Sequence, residues 1–578
     1  MRIQMKKKKI PYKQIEKVHP SIPELHHQLS QKRISRREFL HTVTLLGLSA
    51  ATAGMLAGCG DDTPIVPTPT LIPASEVEAV VQRGGTLRVA SQVLEVDYPA
   101  KFIRAGQSAN QFRQAFEYLT QTDKHGITQP YLLESWRASD DLKTWTLNLR
   151  NNVTWTNGDK FTADDVMFNF EQWLDPSIGS SIGGSFKGYL SISGVEKVGD
   201  TIIKLNLDKP LVTVPEIFSE YPAQIIPPSF DGNISSGKNP STGPYVLEEF
   251  VVGEKVRFVK RTDEHGEYWQ KGTDGEPLPY LDAIEWLDFG DDRSAWISAM
   301  QEGTVSTMYN PNIESYQAFR GNYAFSIARI PSAQAQVLRF RVDMEPWTDI
   351  RYVRAVKMCQ NRQEILGQAY LGQGQLGHDT HVSPAHPEFA PMTVPFYTPD
   401  EAKALLTEAN DGKEKRLVFE ITHPNEPSAI TYAKLLQEGA SKAGIIIRLK
   451  QMSSADYLAN DTWLDVPVGI TRWTHRPLGI MVLPLAYAEG AKRNESRWSH
   501  PEFAEKLQEA QSTLDIEARR QIMVDLQRIQ AEEGSIGVAW WMDAWSIFNS
   551  AFKNMDVHPA GYNLWNNVWY NRKDDIFA

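Results

Sequence analysis

YLLESWRASDDLKTWTLNLRNNVTWTNGDKFTADDVMFNFE, residues 131–171, is the stretch whose reading decides the fold. Within it, Lys143–Arg150 sets Trp145, Leu147 and Leu149 at alternate positions, the period of a strand with one buried face. Asn157-Gly158 follows Trp155, and glycine there tolerates the positive φ of a tight turn. Phe161-Thr162-Ala163-Asp164-Asp165 then opens a helix. Thr162 stands at the cap, Asp165 answers from the third position, and Val166, Phe170 and Trp173 form one apolar stripe. The pairs Asp140-Asp141 and Asp164-Asp165 have the side chains of acid–base catalysts, but turn and cap duties account for them better.

Strands and helices stay interspersed on both sides of this stretch. Folding is expected to begin near Gly84-Gly85, ahead of a strand-like Thr86-Leu87-Arg88-Val89-Ala90. Thr242-Gly243-Pro244-Tyr245 steers the chain between strands. Tyr397-Thr398-Pro399-Asp400-Glu401 starts another helix, with Pro399 at its first position and Ala402, Leu405 and Leu406 facing inward. Ser428–Lys442 reads as a helix closed by Ala443-Gly444, and Ile445–Leu449 follows as a strand, a step typical of α/β sheets. Pro501–Gly534 reads as two helices separated near Asp515, and Ile536–Phe548 as a strongly apolar strand.

The first sixty residues concern location. Arg36-Arg37 precedes a mildly apolar run, Val43–Gly58, that ends in Leu56-Ala57-Gly58-Cys59. That run is too short to span a bilayer, which needs about 20 apolar residues. An arginine pair before a short apolar segment resembles a twin-arginine export signal, and the Leu-Ala-Gly-Cys end resembles the lipobox of bacterial lipoproteins. The resemblance implies cleavage before Cys59, a lipid on its thiol, and work outside the cytoplasmic membrane. Residues 60–83, with Pro64, Pro67 and Pro69, read as an extended tether. Residues 1–58 carry eleven Lys/Arg against three Asp/Glu, so residues 59–578 hold a net −19 within a whole-chain net of −11. So acidic a chain is a poor partner for nucleic acid, whose phosphates require clustered Lys/Arg. With Cys59 lipidated, Cys359 is the one remaining thiol, expected to be buried and inert beside Val356 and Met358.

Seven segments, taken in order, are similar to one family. They are GGTLRVA (84–90), residues 131–171, STGPYVLEEFVVGEKVRFVKR (241–261), YLDAIEWL (280–287), DIRYVRAVKMCQNRQEIL (349–366), YTPDEAKALLTEAN (397–410) and SKAGIIIRLKQMSSADY (441–457). The chain resembles the extracellular solute-binding proteins of ABC importers, in the family that takes peptides, nickel chelates and opines. The resemblance implies an α/β fold of two lobes, the class II type of periplasmic binding protein, with an extra subdomain in the first lobe. It assigns lobe I to 84–335, lobe II to 336–548 and a C-terminal return to lobe I over 549–578, with crossovers near Gln336–Arg341 and Trp545–Phe552. It also implies a monomer that does no chemistry and needs no cofactor. Solute stabilises closure of the cleft, and the closed form docks on an ABC permease with its ATPase subunits.

Ligand contacts are expected where loops meet the cleft. Asp97 and Tyr98 follow the first strand, where turn and packing duties compete with ligand contact. In Trp473-Thr474-His475-Arg476, peptide-binding relatives carry Trp-Thr-x-Asp, the Asp pairing with the peptide's α-amine. Here Arg476 stands at that position and reverses the charge, favouring a carboxylate or phosphate. The solute is thus expected to be a peptide-like or small organic molecule, with an acidic one such as an opine, an amino-acid conjugate or an acidic sugar derivative favoured over an ordinary peptide; the competing reading is that Arg476 pairs with a protein carboxylate. His475, Tyr487, Asn494 and Trp541 complete the set, since adjacent Trp540 and Trp541 point to opposite faces of a strand. His378, His381 and His386 invite a metal reading, but their Gly, Pro and Ser neighbours predict a surface loop. No Gly-x-x-x-x-Gly-Lys-Ser/Thr or Gly-x-Ser-x-Gly pattern accompanies them. A receptor for a sensor and an exported enzyme are the alternatives to import.

Overall fold

The computed structural model describes residues 81–96, 98–101, 106–413 and 416–577. Two long strands, Phe325–Phe340 and Trp540–Asn549, run antiparallel through its middle, from Phe325 opposite Asn549 to Gln334 opposite Met542. On one side they continue through Thr307–Met308, Thr86–Ser91, Ala283–Asp288, Lys255–Lys260 and Tyr245–Val251. On the other, Phe325–Phe340 pairs with Val468–Trp473, which leads to Val418–Pro424 and Ile446–Met452. Each side carries its own helices and apolar core, so the fold is two-lobed. A bulge between Pro331 and Gln334 marks the change of partner: from Ala335 on, the strand faces Trp473 instead of the other long strand.

A separate sheet of four strands, Leu133–Ala138, Thr144–Leu149, Ile202–Asn206 and Val195–Gly199, forms the first lobe's subdomain. Trp145, Leu147 and Leu149 are all buried on its inner face. Gly158 turns at φ +90°. The helix Ala163–Leu174 begins where its cap dictates: the Asp165 carboxylate accepts from Thr162 N–H at 2.7 Å. Asp141 accepts from Ser139 Oγ and Asp164 pairs with Lys197 at 2.7 Å, so both acidic pairs serve turns and surface contacts. Gly243 is obligatory, since a Cβ there would lie 2.4 Å from the Ala115 carbonyl oxygen.

The second lobe packs Pro399–Ala409 and Pro427–Ser441 over its strands, burying Ala402, Leu406, Tyr432 and Leu436. Helices Pro501–Gln511 and Ile516–Glu533 meet at an Asp515 cap that accepts from Ala518 N–H. The expected apolar strand is two, Ile536–Val538 and Trp540–Asn549, parted at Ala539. The lobes also meet away from the strands. Val212 N–H of the subdomain donates to Gln511 O at 2.9 Å, and Tyr189 Oη donates to Gln511 Oε1 at 3.1 Å.

One expectation is corrected here. The segment His378–His386 is not a surface loop, for all three histidines are buried. Asp379 pins it from within, pairing with Arg362 at 2.6 Å and accepting from Val538 N–H at 2.9 Å. Cys359 is fully buried, and burial pushes its thiol up to about 12.

Candidate binding cleft

A cavity of about 140 Å³ lies between the lobes. The first lobe contributes Asn110, Glu220, Tyr221, Tyr309 and Tyr562; the second contributes Arg472, Thr474, His475, Arg476 and Pro477; Gln334 of the connecting strand stands between. The second-lobe wall leaves the strand Val468–Trp473 at its C-terminal end, where α/β sheets place their crevices. A buried carboxylate fixes that exit: Glu495 accepts from Trp473 Nε1 at 2.7 Å and Thr471 Oγ1 at 2.5 Å, with Arg339 at 3.3 Å.

Two guanidinium groups, Arg472 and Arg476, line the wall, and Arg113, Arg293 and Arg493 stand behind it. Arg472 donates to Glu426 at 2.8 Å and to Gln334 Oε1 at 2.9 Å, and Glu426 holds its pKa above the usual arginine value. Arg476 crosses the cleft to pair with Glu220 of the first lobe, as the competing expectation of a protein carboxylate partner has it, with only 14% and 6% of the two side chains exposed. Arg293 lies 3.9 Å over Trp296 and donates to Tyr309 O at 3.0 Å; burial, then Arg472, lowers it to about 10. Arg493 hydrogen-bonds Tyr221 and acts through space on Glu220 and Arg476, and burial, then Arg476, depresses its pKa. Arg113 is held between two rings, 4.0 Å from Tyr118 and 4.1 Å from Tyr562.

Histidines here are neutral and oriented. His475 Nδ1 accepts from Ala333 N–H at 3.0 Å, so its proton sits on Nε2, which has no partner among the described residues. Burial, then His386, pushes His475 well below the ordinary value. His386 follows the same logic, accepting from Ser383 N–H and donating Nε2–H to Arg476 O, with burial lowering it to about 4.

Of the residues expected from sequence, His475 and Arg476 line the cavity, and Trp473 stands beside Thr474 with its ring edge-on to His381 at 5.0 Å. Tyr98 packs against Phe230 at 5.5 Å, outside the wall. Tyr487 bonds His381 Nδ1 at 2.7 Å, Asn494 Nδ2 donates to Trp498 O at 2.7 Å, and Trp541 is buried beside His381. These three stand behind the wall rather than in it. Asp97 and Cys59 lie outside the described residues. Sequence reasoning missed Glu220, Tyr309, Gln334, Arg472 and Tyr562. Arg472 adjoins a landmark and was within reach, whereas the others come from distant segments without a local pattern.

This arrangement, two α/β lobes closed over a crevice, is that of a binding protein, and the comparisons agree. Residues 128–487 match the family model for bacterial extracellular solute-binding proteins, family 5 Middle, and the chain belongs to that family. It is a substrate-binding component of an ABC transporter, not an enzyme, and acts outside the cytoplasm with a permease and its ATPase subunits. Among the described residues, no helix is long and apolar enough to cross a membrane. The chain is similar to the dipeptide-binding protein DppE of Bacillus subtilis (strain 168), with 24% identity over 485 residues that span 77% of this chain and 84% of the relative. In fold it is similar to the periplasmic binding protein DppA from Helicobacter pylori in complex with peptide STSA: TM-score 0.72, 18% identity, 85% of this chain and 99% of the other. AgaA from A. tumefaciens R10 in complex with agropinic acid gives TM-score 0.71 and 17% identity over 84% of this chain and 99% of the other.

Proposed function

We propose that the cleft captures a small organic acid, rather than an ordinary peptide, and delivers it to the permease for import. The observation that carries this reading is the charge of the wall: five guanidiniums, from Arg113, Arg293, Arg472, Arg476 and Arg493, stand at or near it, against the carboxylates of Glu220 and Glu426. A peptide's α-amine would meet Arg476 where peptide-binding relatives present a carboxylate, and the carboxylate beside it, Glu220, is already engaged by Arg476. AgaA, a protein of the same fold, holds agropinic acid. Native mass spectrometry of freshly purified protein tests the reading. A co-purified small acid is expected, and a co-purified neutral or basic peptide would overturn it.

The leader fits the same role. Arg36-Arg37 and Val43–Gly58 route the chain outward, lipidated Cys59 holds it to the membrane, and residues 60–83 tether a monomeric binding body. Lobe I takes 84–335, lobe II 336–548, and 549–578 return to lobe I. The lipid supplies the membrane affinity, and a second signal would strengthen it.

A further inference from the structure

The charged groups at the cavity wall answer one another. Arg472 is met by Glu426 and Arg476 by Glu220. The wall's histidines are neutral: His475 accepts from Ala333 N–H, and His558 has both ring nitrogens on backbone groups of Thr122 and Ala560. What the wall leaves open is uncharged. Tyr221, Tyr309 and Tyr562 bring aromatic rings from the first lobe, and Pro477 faces them from the second. The hydroxyls of Tyr562 and Thr474 have no protein partner among the described residues. Tyr309 Oη accepts from Asn110 Nδ2 at 3.4 Å and keeps its proton to give. Tyr562 already stacks on His558 at 4.7 Å and on Arg113 at 4.1 Å, so it offers the cavity its edge and its hydroxyl. Arg113 acts on the cavity only through that ring, where its charge polarises the O–H toward an acceptor.

Size narrows the solute further. The cavity holds about 140 Å³, and a cavity of ~150 Å³ takes one benzene ring. Flat rings pack edge-to-face or offset against other rings and gain affinity beyond the area they bury. A second acid group would find no unmatched cation on this wall. We propose that the solute is a monocarboxylic acid built on a single aromatic or heteroaromatic ring. Its ring lies among the tyrosines, and its carboxylate accepts from the open hydroxyls, Tyr562 of the first lobe and Thr474 of the second. This rests on the organic-acid reading above and narrows it.

Calorimetry on the purified full chain, stripped of bound solute, tests it with matched probes. Benzoate, 4-hydroxybenzoate and nicotinate are compared with their amides, cyclohexanecarboxylate, hexanoate, phthalate and the dipeptide Ala-Ala. At least one of the ring acids is expected to bind roughly ten-fold or more tightly than its amide, which lacks the charge. It should also exceed cyclohexanecarboxylate, which lacks the flat ring, by about three-fold or more. Tyr309→Leu should erase that preference for the flat ring, and Tyr309→Phe should keep it. Tyr562→Phe, which removes only a hydroxyl, should weaken the ring acid about three-fold. Binding of hexanoate or cyclohexanecarboxylate as tightly as the ring acids overturns the aromatic ring alone and leaves the organic-acid reading standing. Tighter binding of phthalate, with its two carboxylates, overturns the single charge. Silence of every ring acid also overturns the proposal. Binding of Ala-Ala with all acids silent overturns the organic-acid reading as well. A flat-ring preference that survives Tyr309→Leu removes Tyr309 from the site.

Discussion

At the scale of single residues, the pair Arg476–Glu220 joins side chains that are 256 positions apart and come from opposite lobes. Each is charged and mostly buried, so neither is comfortable without the other. Glu220→Gln would strand the guanidinium, and removing one partner of a buried pair costs ~3–5 kcal/mol, less here because Arg476 keeps some contact with water. A fall in the urea midpoint is the expected outcome; an unchanged midpoint would mean that water already solvates the pair. Histidine gives a second expectation, with a sign. Burial lowers His558 to about 4 and His386 to about 4, against an unfolded value of about 6.5. Between pH 6.5 and 4 the unfolded chain therefore takes up protons that the fold refuses, and stability falls on acidification by ~1.4 kcal/mol per pH unit per histidine. Glu117, raised to about 6, and Glu216, raised to about 7, pull the other way, losing stability as pH rises from 4.5. A His558→Gln variant isolates one term. Its urea midpoints at pH 6.5, 5.5 and 4.5 should decline less steeply than those of the parent, and parallel slopes would show that His558 is protonated in the fold.

Among the elements, legibility followed the number of buried faces. Thr144–Leu149 alternates because one face is buried and the other is not, and Ala163–Leu174 announces itself by its cap and its stripe. Ile536–Asn549 is buried on both faces, which erases the period, so the break at Ala539 left no trace in the pattern of apolar residues. The polar loop His378–His386 misled for a related reason: its burial depends on Arg362 and Val538, partners that no local window contains. The candidate site was legible only along Trp473–Arg476, because those residues leave one strand end, whereas Glu220 and Tyr562 arrive through tertiary packing. The legible helix offers a direct test. Phe170 is fully buried, with Trp173 at 5.3 Å, Phe218 at 5.7 Å and Phe186 at 6.5 Å between ring centres. Phe170→Ala is expected to cost ~3–5 kcal/mol, read as a lowered thermal midpoint. A loss under 1 kcal/mol would mean that the subdomain core collapses to fill the gap.

For the whole molecule, binding and closure are one equilibrium, because a solute touching both lobes binds fully only when they are shut. Any contact made only in the closed form therefore contributes to affinity, however far it lies from the cavity. The contact of Tyr189 with Gln511, at 3.1 Å between the first-lobe subdomain and a helix end of the second lobe, tests whether one lies there. Neither residue lines the cavity. A net hydrogen bond is worth ~0.5–1.5 kcal/mol, which corresponds to roughly a 2- to 12-fold change in an equilibrium constant. Tyr189→Phe removes the donor and keeps the ring, so the co-purified solute should bind that much more weakly by calorimetry. Scattering from the solute-free variant should resemble the open form of the parent. If affinity is unchanged, the subdomain and the second lobe stay docked whether or not the cleft is filled, and the moving boundary lies elsewhere in the fold.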